Sequence, residues 1–120
     1  SLYGRKATET LKSWHADKVF LSCKGLDIGQ GVTDGNDEAA GIKQAMIAGA
    51  ERVYLCADAS KFDRTAFSRI CGFDRIHAVI TDTEPSPRWQ EFLEDSGIAL
   101  MRPEQRAFGE PADGRPPLSG

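Results

Sequence analysis

Apolar and polar positions along this chain follow two alternating rhythms, one of strands and one of helices. Ala7, Leu11 and Trp14 fall at helical spacing and predict a short amphipathic helix over 5–15. Residues 18–23 form a compact apolar run and predict a strand. Residues 24–36 carry four glycines and are expected to be a loop. Asn36 then suits an N-cap, with Asp37 and Glu38 in the first turn, where the helix dipole favours acids. The helix should run to about residue 50 with Ala39, Ile42, Met46 and Ala50 inward. A second strand is expected over 52–57, a helix over 62–70 with Phe67 and Ile70 inward, and a third strand over 75–81. Ser86 should cap a helix that opens on Pro87, buries Trp89, Phe92 and Leu93, and stops at Gly97. A short last strand follows over 98–101.

Strands alternating with helices imply βαβ units and a parallel sheet. The fold class expected is α/β, a Rossmann-like three-layer arrangement around a parallel sheet of about four strands. It should occupy residues 1–102 as one domain. Residues 103–120 hold four prolines and three glycines and are expected to be a disordered tail without a core of its own. A chain that opens on a helix and has so few strands suggests a truncated domain, preceded by further strands in the native protein.

Composition narrows the function classes. With 120 residues there is room for one real core, and 40% apolar with 28% charged residues is ordinary for a globular domain. A net charge of −3 with scattered Lys and Arg argues against a free-standing nucleic-acid binder, which needs a clustered basic face. No apolar stretch approaches the ~20 residues of a membrane span. No secretory signal pattern opens the chain, so a cytoplasmic protein is expected. Cys23, Cys56 and Cys71 make no C-x-x-C pair, and their spacing with His77 fits no zinc pattern; reduced, buried thiols and no metal are expected. His15 and His77 suit the edges of elements better than chemistry.

In open parallel sheets, ligands bind beyond the carboxyl ends of the strands. Three polar segments leave those ends: residues 24–33, 58–61 and 81–84. Asp27, Asp58 and Asp82 can accept hydrogen bonds from sugar hydroxyls, while Ser60 offers a hydroxyl and Lys61 a point charge for a phosphate. Gly25 and its neighbouring glycines allow close backbone approach. Simpler readings stand beside these. Asp58 equally suits the cap of the following turn, Lys61 a solvated cation, and residues 82–87 a plain connection. Neither G-x-x-x-x-G-K-[ST] nor G-x-G-x-x-G is present, so no nucleotide fingerprint is found and no cofactor is expected. From these residues alone the reading is a small anionic ligand, with enzyme and sensor both open.

The order of segments resembles the C-terminal effector-sensing domain of DeoR-family bacterial transcriptional regulators. The resemblance covers residues 4 to about 101. It rests on Ala7 to Leu11, Gly25-Leu-Asp27 with Gly31-Val-Thr33, Asn36 to Ala39 running into Lys43 to Ile47, and above all Arg52-Val-Tyr-Leu-Cys-Ala-Asp-Ala-Ser-Lys-Phe62, followed by Ala78 to Asp82. It implies the fold shared by sugar-phosphate isomerases and CoA transferases. It also implies a phosphorylated-sugar effector, a repressor of a carbohydrate-catabolic operon, a homo-oligomer, and DNA contact only through a helix-turn-helix absent from this chain. Asp58, Ser60 and Lys61 match the family's D-x-S-K segment, associated with effector response. Gly25, Asp27 and Thr33 match its glycine-rich loop and Asp82 its T-D end. The family's earlier strands, with their phosphate loop, have no counterpart here.

An isomerase- or deaminase-like enzyme is the alternative, because residues 20–29 resemble the Asp loop of glucosamine-6-phosphate deaminases. Those enzymes carry a histidine just after the acid for ring opening, where this chain has Ile28 and Gly29. No catalytic residue is therefore assigned.

Overall fold

The computed structural model describes residues 15–103. The helix expected over 5–15 and the tail expected after 103 lie outside that range. The strands β1 (Ala16–Ser22), β4 (Ala50–Cys56), β6 (Ala78–Ile80) and β7 (Ala99–Met101) form one parallel sheet in that order. Each step moves to the next neighbour, so the strand order never reverses among the described strands. Two helices, α1 (Asp37–Ala48) and α2 (Pro87–Asp95), lie in the connections and complete a Rossmann-like α/β fold.

Alternation sorts the sheet's residues by face. Val19 and Leu21 of β1, Val53 and Leu55 of β4, and Val79 of β6 are all buried and join one core with Ala40 and Ile47 of α1 and Trp89 and Leu93 of α2. The opposite face carries Phe20 and Tyr54, paired in register with ring centroids 5.0 Å apart. Both helices begin as their sequences dictate: the Asn36 side chain accepts from Ala39 N–H at 2.7 Å, and Ser86 Oγ accepts from Trp89 N–H ahead of Pro87. Gly97, at φ +73°, supplies the left-handed residue after α2.

The structure departs from the expected elements in three places. Residues 24–36 are not a loop. They fold into a hairpin, β2 (Gly25–Asp27) and β3 (Gly31–Asp34), joined by β5 (Ser68–Cys71) into a three-stranded antiparallel sheet. The four glycines hide Leu26 and Val32, which are among the most buried side chains of the protein. Two of those glycines serve this small sheet. A Cβ on Gly25 would lie 2.3 Å from the Arg64 carbonyl oxygen, and one on Gly31, at φ +89°, 2.6 Å from that of Cys71.

The helix expected over 62–70 does not form. A 3₁₀ turn, Ala59–Lys61, is followed by extended chain and then β5. Tertiary partners take the donors a helix would need: Arg64 N–H goes to Leu26 O at 3.1 Å and Ala66 N–H to Thr33 Oγ1 at 2.8 Å. Phe67, expected inside, is 84% exposed, while Ile70 is buried as a strand residue.

The inward face of α1 is rotated from the expected stripe. Ala40 and Ile47 are its buried residues, and Lys43 falls between them at i+3 and i−4. This helix packs against β1 and β4 of the large sheet and β3 and β5 of the small one.

Candidate functional site

Parallel pairing of β1, β4 and β6 brings their carboxyl ends to one edge, and a cavity of about 420 Å³ opens there. That volume suits a small metabolite. Ser22, Cys23 and Lys24 enter it from the end of β1, Cys56, Ala57 and Asp58 from β4, and Ile80, Thr81 and Asp82 from β6. Lys61 and Lys43 complete the polar wall, with Pro103 at the margin. Its charged lining is three lysines against two aspartates, a bias toward an anion.

The turn after β4 is held by its own side chains. Asp58 caps it, accepting from Ser60 N–H at 2.9 Å, from Ser60 Oγ, and from Lys61 Nζ at 3.3 Å. The Ser60 hydroxyl, the Ser60 amide and the Lys61 ammonium together hold the Asp58 carboxyl below the ordinary aspartate value. The capping role and the cavity-lining position coexist: Asp58 is exposed at the cavity mouth while it orders the turn that presents Lys61.

Asp58, Lys61 and Asp82 line one cavity, and Ser60 stands in direct contact with two of them. Gly25, Asp27 and Thr33 do not line it. Asp27 Oδ2 closes the β2–β3 turn by accepting from Gly29 and Gln30 N–H at 3.0 and 2.9 Å. Thr33 Oγ1 is buried, donating to Gly25 O and accepting from Ala66 N–H. His77 stands just before β6, where its Nδ1 accepts the Val53 N–H at 3.0 Å. His15 lies near Glu51 at the amino ends of β1 and β4, the sheet edge opposite the cavity.

Lys43, Thr81 and Cys23 stand out among the cavity residues that lie beyond the sequence-based set. Lys43 Nζ donates to Ser22 O at 2.8 Å and pairs with Asp34 Oδ2 at 2.6 Å. Burial disfavours the Asp34 anion, but the Lys43 bond and charge and the Gly35 N–H outweigh it, so its carboxyl also sits below the ordinary value. Thr81 is buried, and its hydroxyl has no partner among the described residues. The Cys23 thiol is pushed up to about 11 by burial, against the opposing pull of Lys43 and, more weakly, Lys61, and both lysines line the same cavity as the thiol. The expected stripe of Ala39, Ile42 and Met46 left Lys43 off the inner face; the buried residues Ala40 and Ile47 put it there.

The family described as "DeoR C terminal sensor domain" matches residues 1–83. The chain is 36% identical over 100 residues to YulB, an uncharacterised HTH-type transcriptional regulator of Bacillus subtilis, covering 83% of this chain and 39% of that protein. It is 33% identical over 104 residues to the HTH-type transcriptional repressor GlcR of the same organism, covering 87% and 40%. It is 31% identical over 101 residues to a putative aga operon transcriptional repressor of Escherichia coli O157:H7, covering 84% and 38%. The chain thus spans about two fifths of the length of the curated relatives it matches. A cavity at the carboxyl edge of a parallel sheet, and a sequence match over most of the chain, lead to one conclusion: the chain belongs to the DeoR C-terminal sensor domain family, a family of sensors rather than enzymes.

Proposed function

We propose that this sensor domain reads a phosphorylated sugar or a related anionic metabolite in the cavity at the ends of β1, β4 and β6. Binding there controls operator occupancy by a helix-turn-helix carried elsewhere in a homo-oligomeric, cytoplasmic regulator of carbohydrate catabolism. The observation that carries this reading is the lining itself. Lysines able to meet a phosphate stand beside Asp58 and Asp82, which can accept from sugar hydroxyls. The repressor names of related proteins support the regulatory half. No step of chemistry is required. An effector that binds two arrangements of the oligomer unequally shifts their populations by that difference in affinity.

The test is a panel of pentose and hexose phosphates titrated into the full-length regulator, read by thermal shift and by operator binding. One compound should raise Tm and change DNA affinity, and Lys61→Ala should weaken that compound by about tenfold or more while the protein stays folded. A panel that leaves both Tm and DNA affinity untouched overturns the reading.

A further inference from the structure

We infer that Lys43 of α1 is the anion seat of this cavity, and that an anionic ligand competes for its charge with Asp34, to which it is paired. This inference rests on the effector-binding reading of the cavity and adds the residue that receives the charge.

Lys43 is anchored rather than free. Its stem runs along the inner face of α1 between Ala40 and Ile47, its side chain is 20% exposed, and its ammonium meets the end of β1 at Ser22 O, 2.8 Å away. An ammonium has three donors. One goes to Ser22 O and another is offered to Ser22 Oγ at 3.4 Å, at the limit of a useful hydrogen bond, while Asp34 Oδ2 faces the ammonium at 2.6 Å as an ion pair. Ser22 and Lys43 both line the cavity, so a phosphate oxygen there meets a donor that is poorly used and already in position. Lys61, whose side chain is 26% exposed, is tied at 3.3 Å to Ser60 and to Asp58, and that carboxylate is 57% exposed, whereas Lys43 is anchored to the backbone of β1. Asp34 is 5% exposed and reaches the same ammonium from β3 of the small sheet, without lining the cavity itself. A buried carboxylate already sharing this cation lowers the cation's pull on any further anion. Removing that charge should therefore raise ligand affinity, an outcome that a purely structural ion pair does not produce.

The experiment titrates inorganic phosphate into the full chain at constant ionic strength, by calorimetry and thermal shift. The variants are Lys43→Gln, Lys43→Arg, Asp34→Asn and Lys61→Ala. Wild type should bind phosphate, Lys43→Gln should weaken it about tenfold or more, and Lys43→Arg should stay within about threefold. Asp34→Asn should tighten binding several-fold, whatever its effect on stability. Unchanged or weaker binding in Asp34→Asn, wild-type affinity in Lys43→Gln, or no phosphate binding by wild type each overturns the inference. Phosphate binding lost only in Lys61→Ala removes Lys43 as the seat and leaves the proposed function standing. Failure of every sugar phosphate to alter operator binding, with the Asp34→Asn gain intact, does the reverse.

Discussion

The Trp89 indole N–H donates to Asp63 Oδ1 at 2.9 Å, joining the first turn of α2 to the segment that follows β4. Trp89 is 1% exposed and sits among three other rings, edge-on to Phe62 at 5.1 Å, Phe73 at 5.7 Å and Phe92 at 5.8 Å. Asp63 has φ +61°, so the chain turns sharply at the point where its carboxylate reaches the indole. Trp89→Ala should cost about 3–5 kcal/mol through the cavity it leaves. Trp89→Phe should cost about 1–2 kcal/mol, because it keeps a ring and the half-exposed Asp63 carboxylate can rehydrate. Urea unfolding followed by circular dichroism measures both.

Two glycines should respond to alanine with opposite signs. At Gly25 the new methyl meets the Arg64 carbonyl oxygen at 2.3 Å, a backbone atom of a residue tied to β2 by its N–H to Leu26 O, and the loss should be about 3 kcal/mol. Gly41 lies inside α1 with nothing within 4 Å of a Cβ, so Gly41→Ala should gain about 0.5–1 kcal/mol from helix propensity. Chemical denaturation of the two variants beside wild type reads both signs.

The Asp34–Lys43 pair should make stability depend on acid. The folded pKa of Asp34 lies below the ordinary 3.8, so its contribution is complete above the unfolded value and is lost as pH falls through the lower folded one. Stability of wild type relative to Asp34→Asn should therefore be larger at pH 7 than at pH 3. Urea midpoints at the two pH values, with equal differences between the proteins, would refute this.

The cysteines should be slow nucleophiles. Burial pushes Cys23 up to about 11, and burial with the nearby Asp74 charge does the same to Cys71; Cys56 is raised by burial alone. At pH 8 a thiol with pKa 11 is roughly 0.1% thiolate. Iodoacetamide should label Cys23 and Cys71 at least about tenfold more slowly in native protein than in guanidinium, as followed by intact mass.

Much of the frame was legible because its signals are local. Asn36 and Ser86 cap the helices expected of them, and the apolar runs around Val19, Val53 and Val79 became the parallel strands. The Asp58-Ala-Ser-Lys61 segment was also legible as the point where β4 yields to a polar turn at the sheet edge. The small sheet was not, because two of its strands are only three and four residues long and the hairpin is studded with glycines that fit a loop composition equally well. Residues 62–70 misled for a related reason. Phe67 and Ile70 stand three residues apart, a helical spacing, yet the backbone donors there go to Leu26 and Thr33, more than thirty residues earlier.

The sequence by itself determined the α/β class, the starts of the two helices and the edge at which polar residues gather, since caps, periodicity and the alternation of strand-like and helix-like segments act over a few residues at a time. Tertiary structure alone decided which of those residues meet. It turned α1 so that Lys43 lies on the inner stripe between Ala40 and Ile47, within reach of Ser22 and Asp34. It sent Gly25, Asp27 and Thr33 to the small sheet and away from the cavity lining. Long-range pairing and burial set those contacts, and neither is written in the spacing of neighbouring residues.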